Sequence, residues 1–320
     1  MPHRGVRLYV VSDIHASEKG WRKMLNAARL RLYGADAVLY AGDLTGKAMV
    51  PVVQSEEGFE AELGGQQRLA RTDHELAQLE QDIANLGYYV LHTTKDEIDR
   101  LHGDPGALHE LFVSHIRGRV DEWMRMAADR MDGSGVPIYL IPGNDDPYEI
   151  DPVLATSEYC LNVDGRVVDI EGNLQVLGSG KSNPTPWSTP REVPDDDFRQ
   201  ELTRLADEAR DPRRTIFLIH CPPHGSGLDT APLLDANLRP TVSAGDLLRG
   251  PVGSTGVREA IQEFHPLLGL HGHIHESGGE AKIGDTLCLN PGSEAAFGIL
   301  RGYLVDVGPN GIERAFRVEG

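Results

Sequence analysis

Hydrophobic positions along the chain come as short runs separated by helical stripes, the pattern of a sheet joined by crossover helices. Residues 7–12 (RLYVVS) form a continuous apolar run suited to a strand buried on both faces. Ser17 is placed to cap a helix whose apolar residues Trp21, Met24, Leu25, Ala28 and Leu32 recur at spacings of three and four, with Gly34 to stop it. Residues 36–41 (DAVLYA) predict a second strand. Later strands are expected at 137–141, 173–177, 215–219, 267–270 and 286–289, and residues 302–307 read as an edge strand.

Between the second strand and residue 137 the chain makes a long excursion. Residues 49–63 (MVPVVQSEEGFEAEL) alternate as a hairpin turning at Glu57-Gly58. Thr72 and Glu75 form a capping box before a helix carrying Leu76, Leu79, Ile83 and Leu86 and ended by Gly87, and Thr94 with Glu97 repeats that signature. Asp104-Pro105 opens a long helix through Leu108, Leu111, Phe112, Ile116 and Met131, expected to be the crossover to the third strand. The chain reads as one domain, 1–320, with an insertion at about 49–101. The insertion has its own caps and apolar stripes, which predicts a lid or a homodimer contact rather than disorder.

Bulk properties narrow the class. A chain of 320 residues, 40% of them hydrophobic, can bury a large core. No stretch approaches the roughly 18 uninterrupted apolar residues of a membrane helix. The first fifteen residues run into a motif with no small-residue cleavage site, which reads as no signal peptide. Cys160, Cys221 and Cys288 are widely spaced and odd in number, against a disulfide framework and for a reducing compartment, so a cytoplasmic location is expected. The net charge of −18, from 31 Lys+Arg and 49 Asp+Glu, repels nucleic acid and anionic membranes and favours a small phosphorylated substrate.

Five motifs stand at predicted strand ends, where a parallel sheet places its binding loops. They are Asp13-Ile14-His15, Gly42-Asp43, Gly143-Asn144-Asp145-Asp146, His220, and Gly272-His273-Ile274-His275. Each alone is common; their order and placement after hydrophobic strands are not. Together they supply carboxylate, imidazole and amide donors. Two divalent metals about 3.5–4 Å apart can clamp a phosphoryl group around one bridging hydroxide. Two dications, two aspartates and a hydroxide leave a net charge of about +1, which attracts a phosphate anion.

The pattern DxH…GD…GN…H…GHxH resembles the calcineurin-like metallophosphoesterase superfamily and extends over nearly the whole chain. The stretches HCPPHGSGLD (220–229), LLGLHGHIHES (267–277) and LNPGS (289–293) are similar to its bacterial and archaeal branch. The resemblance implies an α/β fold, a four-layer α-β-β-α sandwich. It also implies that Asp13, His15, Asp43 and His275 hold one metal, and that Asp43, Asn144, His220 and His273 hold the other, with Asp43 as the bridge. Mixed nitrogen and oxygen ligands suit manganese, iron, zinc or nickel, with manganese favoured. The activity implied is hydrolysis of a phosphate ester, with a phosphodiester favoured. The rivals are a catalytically silent scaffold, which should have lost ligands where this chain fills every position, and a DNA repair nuclease, which the acidity opposes.

One departure bears on mechanism. The superfamily often places histidine after the asparagine of the third motif, and here Asp145 stands there. Nearby metal charge favours the carboxylate form, so Asp145 is a poor general acid, and His224 is the candidate substitute. Lys47 and Lys181 are candidate substrate contacts, the latter with Trp187. Residues 178–182 (GSGKS) do not make a nucleotide phosphate loop. The first glycine would fall at Gln175, and Pro184, Pro186, Pro190 and Pro194 exclude the helix that must follow. His271 alternates with His273 and His275 along an extended segment and is left to packing or to support of a ligand.

Overall fold

Period-two apolar patterning builds two large sheets in the computed structural model, which describes residues 5–235, 237–243 and 245–320. From the amino terminus the elements are β1 (Val6–Val11), α1 (Glu18–Arg29) and β2 (Ala37–Ala41). The excursion supplies β3 (Met49–Ser55), β4 (Gly58–Leu63), β5 (Gln66–Ala70), α2 (Asp73–Asn85), β6 (Tyr89–Thr93) and α3 (Lys95–His102). The chain returns through α4 (Pro105–Met131) to β7 (Ile138–Ile141), α5 (Asp151–Ala155), β8 (Cys160–Asn162), β9 (Val167–Ile170) and β10 (Leu174–Ser179). After α6 (Asp195–Glu208) and β11 (Thr215–Ile219) come the short strands β12 (Thr230–Pro232), β13 (Val242–Ser243), β14 (Asp246–Leu247) and β15 (Arg249–Pro251). The closing elements are α7 (Thr255–Phe264), β16 (Leu268–Leu270), β17 (Gly279–Ile283), β18 (Thr286–Asn290), β19 (Arg301–Gly308) and β20 (Gly311–Glu319).

One six-stranded sheet has the order β20-β19-β1-β2-β7-β8 and the other β17-β18-β16-β11-β10-β9. β1, β2, β7 and β8 are parallel neighbours in the first, and β18, β16, β11 and β10 in the second. Alternate residues of both sheets meet in the middle, where Leu8, Val10 and Leu39 share a core with Val176, Ile216 and Leu218. The outer face of the first sheet packs Val11, Val38 and Tyr40 with Trp21 and Met24 of α1 and Trp123 of α4. The outer face of the second packs Leu177, Phe217 and Ile219 with residues of α6 and α7. Helix, sheet, sheet and helix therefore stack as four layers, the α-β-β-α sandwich.

Trp21 and Trp123 stack at 4.7 Å between ring centroids and 4° between planes, both fully buried. Truncating one leaves a cavity the helices cannot close, so Trp123→Ala is expected to cost about 3–5 kcal/mol. Urea unfolding checks this, and a loss within experimental error would show that α4 does not depend on the pair.

Several sequence expectations need correction. Helix α1 ends at Arg29, short of Leu32 and Gly34. Arg31 takes a left-handed φ of 48°, and the Arg31 and Leu32 N–H groups donate back to Ala28 and Ala27, a Schellman closure built without glycine. Leu32 is consequently 64% exposed. The 302–307 strand is not an edge. β19 lies between β1 and β20, because the mixed polar sequence after Pro309-Asn310 folds back as a long outer strand. The 49–63 hairpin forms, but it belongs to a four-stranded sheet of order β5-β4-β3-β6. The added strands were hidden by the polar composition of β5 and the shortness of β6. Among the described residues, no helix is long and apolar enough to cross a membrane.

Candidate metal centre

The five motifs sit at the carboxyl ends of β1, β2, β7, β11 and β16, so one edge of the sandwich gathers donors from both sheets. Bringing them together bends the backbone sharply. Asp13, His15, Asp43 and His273 all take positive φ, at 53°, 46°, 59° and 68°, in a region that disfavours side chains. Two motif glycines make room for the carboxylates. A Cβ on Gly143 would lie 2.0 Å from Asp43 Oδ1, and one on Gly272 would lie 2.5 Å from Asp13 Oδ2.

Asp13, His15, Asp43 and His275 each offer a ligand atom, and these atoms all lie within 4.8 Å of one another. His15 Nε2 is 2.9 Å from His275 Nε2 and 3.5 Å from Asp43 Oδ2, while His275 Nε2 is 3.5 Å from Asp13 Oδ1. The Thr45 carbonyl, 3.2 Å from His15 Nδ1, can only accept, so Nδ1 carries a proton and Nε2 is the atom turned inward. Asp13 Oδ2 is buried with no hydrogen-bond partner among the described residues. A cation between these atoms is what the donor set lacks.

A second group adjoins the first through Asp43. His220 Nε2 stands 3.4 Å from Asp43 Oδ1 and 3.0 Å from Asn144 Oδ1. The His220 Nδ1–H donates to the Ala41 carbonyl at 2.7 Å, so a neutral His220 presents a lone pair to two acceptors. The amide of Asn144 is oriented independently. Thr189 Oγ1 donates to Glu192 at 2.7 Å, so it must accept from Asn144 Nδ2 at 2.9 Å, which leaves Oδ1 facing His220. The His273 ring lies 5.3 Å from that of His220. Asp43, Asn144 and a deprotonated His220 would together turn three lone-pair donors toward one point.

The buried carboxylates set the protonation of the imidazoles around them. Burial alone would lower the His220 imidazole, yet the charges of Asp43 and Asp13 and the hydrogen bond with Asp43 hold it up to about 10. Burial would raise the Asp13 carboxyl, but the hydrogen bond and charge of His275 hold it down to about 2. Asp43 is likewise held well below the carboxylate range against its burial, first by His220. Burial and His220 push His273 down to about 4, leaving a neutral imidazole. Because His220 must lose its proton to ligate, metal loading at pH 7 is expected to release about one proton or more per chain. Calorimetry in buffers of different ionisation enthalpy measures the release, and uptake of metal with none would contradict the ligand set.

The remaining candidates separate. Lys47 Nζ is 2.5 Å from Asp145 Oδ2, and the Asp145 N–H donates to Asp43 Oδ1 at 3.2 Å, so both residues flank the cluster. The Lys181 ammonium pairs with Glu201 of α6. Trp187 is 65% exposed. His224 Nδ1 lies 3.3 Å from the Gly253 carbonyl and 4.0 Å from Asp229 Oδ2, which ties the ring to the segment before α7. The buried His271 bonds the Ile219 and Cys221 carbonyls through Nδ1 at 2.9 and 3.1 Å, a brace at the end of β11.

The sequence reading missed the residues that hold the third motif in place. Asp146 is fully buried and accepts N–H bonds from Leu44 at 3.0 Å, Thr45 at 2.8 Å and Gly143 at 2.8 Å, joining the Asp43 loop to the Asn144 loop. Burial and the charge of Asp43 raise its pKa against those donors. Arg191 is also buried, and donates to the Asp146 carbonyl from Nε at 2.7 Å and to the Pro147 carbonyl from Nη2 at 3.2 Å. Nothing in the spacing of the proline-rich stretch announces this contact. Asp146→Ala would orphan three buried N–H groups, and an expected loss of about 3 kcal/mol or more of stability follows. A denaturant midpoint equal to that of the unaltered chain would show that the loops hold without it.

A two-sheet sandwich with a carboxylate–histidine cluster at its strand ends defines a metal-dependent phosphoesterase class of fold and site. The model of the calcineurin-like phosphoesterases matches residues 6–277, and the chain belongs to that family. An uncharacterized protein of Methanocaldococcus jannaschii is 31% identical over 163 residues, which is 50% of this chain and 66% of that protein. The chain thus spans just under two thirds of the curated relative it matches. Among solved structures, TT1561 of Thermus thermophilus is 15% identical with a TM-score of 0.55, covering 98% of each chain. A second is 14% identical with a TM-score of 0.57, over 98% of this chain and 99% of that one. These likenesses establish the fold.

Proposed function

We propose that the chain hydrolyses a phosphate ester with two divalent transition-metal ions, and that a phosphodiester is the preferred substrate. The convergence of carboxylate, imidazole and amide groups around Asp43 carries the reading. Asp43 Oδ2 faces His15 and Asp43 Oδ1 faces His220, so one carboxylate serves both groups. Asp13, His15, Asp43 and His275 would hold one ion and Asp43, Asn144, His220 and His273 the other; the mixed donors suit manganese, iron, zinc or nickel, with manganese favoured. When bound, the ions would polarise the phosphoryl oxygens and lower the pKa of the attacking water.

The chain itself orients these groups through Ala41, Thr45, Thr189 and Asp146, and it presents Lys47 beside the cluster. Both candidate lysines are already paired with carboxylates, Lys47 with Asp145 and Lys181 with Glu201. The site therefore offers little further positive charge for a dianionic monoester, which supports a diester carrying a single charge. A small substrate suits the net charge of −18, and the unpaired, buried Cys160, Cys221 and Cys288 suit a reducing cytoplasm. The test is a metal-reconstituted screen over phosphomonoesters, cyclic nucleotides and model diesters. Turnover of diesters above monoesters is expected. Two bound metals with no turnover across the screen would turn the reading toward a silent scaffold.

A further inference from the structure

The four-stranded sheet of the excursion has two apolar faces, and only one is closed. Val50, Val52, Ala61 and Leu63 pack beneath Leu79 and Ile83 of α2. By the alternation of a strand, Met49 and Pro51 point to the other face, and the parallel register sets Leu91 beside Pro51. On that side α3 supplies Ile98 and α4 supplies Leu108 and Phe112, and together they line a cleft of about 480 Å³. Leu91 is buried, whereas Met49, Ile98, Leu108 and Phe112 are only half-buried, so apolar surface stays open on the walls of the cleft.

The cleft adjoins the metal cluster through Lys47. Lys47 is one of its lining residues, and the same ammonium is bonded to Asp145, whose N–H reaches Asp43 Oδ1 at 3.2 Å. A phosphoryl group seated between Asp43 and Lys47 would have its organic substituent at the mouth of this apolar space. We infer that the cleft formed by β3, β6, α3 and α4 binds the hydrophobic alkyl or aryl group of the substrate, so that the substrate class is a phosphoester of an apolar alcohol. The inference rests on the phosphoesterase reading and adds to it the identity of the organic half. It also gives the excursion a role in substrate selection, beside the lid or dimer contact expected from the sequence.

Calorimetric titration of the metal-loaded protein with O-methyl n-alkyl phosphonates, singly charged analogues of a diester with chains from methyl to octyl, separates the cleft from the phosphoesterase reading. Burial of a methylene in a half-open apolar cleft should tighten binding about two- to fourfold per carbon until the cleft is filled. Leu108→Ser should flatten that dependence. If this variant does not fold, the slope in the unaltered protein decides by itself. Measurable phosphonate binding with no chain-length dependence overturns the cleft and leaves the phosphoesterase reading standing. A slope that survives in folded Leu108→Ser overturns the location. Failure of metal-loaded protein to bind any phosphonate overturns the inference together with the reading beneath it.

Discussion

Asp43→Asn is expected to lose metal at both positions and to reduce hydrolysis by at least about 10³-fold. The two carboxylate oxygens of Asp43 face different histidines, Oδ2 toward His15 at 3.5 Å and Oδ1 toward His220 at 3.4 Å. An amide keeps the shape but replaces one oxygen with a donor, so one group of lone pairs meets N–H hydrogens where a cation belongs. Its neutral charge also removes half of the carboxylate charge shared by the two ions. Altering a supporting partner alone typically costs 10–100-fold in affinity, and this change strikes a ligand. The fold should survive, because asparagine relieves a fully buried charge. Elemental analysis of the variant, with thermal unfolding as the control, checks the result. Two tightly held transition metals in Asp43→Asn would overturn the assignment.

The second large effect concerns the leaving group. A departing alkoxide needs a proton, and a general acid supplies typically about 10²–10⁴-fold. Asp145 is ion-paired to Lys47, so its carboxylate accepts from that ammonium and does not face a leaving group as a donor. His224, the substitute suggested by sequence, is engaged with Gly253 and Asp229. Rates should therefore depend strongly on leaving-group pKa, with aryl diesters cleaved about 10² times faster or more than alkyl diesters of equal size. Asp145→His should narrow that gap. A flat dependence in the unaltered enzyme, with chemistry shown to be rate-limiting, would return His224 to the role of acid.

Legibility followed locality. The strands that carry the motifs were readable because each is a short apolar run buried on both faces, and the capping box at Thr72 was readable because it is local chemistry; at Thr94 only the side-chain cap to the Glu97 N–H forms. β5 and β20 were not, since QQRLA and GIERAFRVE lie at sheet edges where polar side chains face solvent and blur the alternation. The end of α1 misled for a related reason: Arg31 adopts a conformation that sequence reserves for glycine. At the site, the residue types and their order after strands were visible, but the network that orients them was not. Thr189 and Arg191 reach Asn144 and Asp146 across about 45 positions of chain, and Glu192 holds Thr189, contacts that only the folded loop creates. The pairing of Lys181 with Glu201 was hidden in the same way.

Two adjoining donor sets share Asp43, and counting the metal ions per chain tests whether both are ligand sets. Protein reconstituted with manganese, freed of excess ion and analysed for metal per chain should hold about two ions. His275→Ala and His220→Ala should each retain about one, since each removes a ligand from a different set. A single ion in the unaltered protein under metal-replete conditions, with His220→Ala holding just as much, would contradict the account.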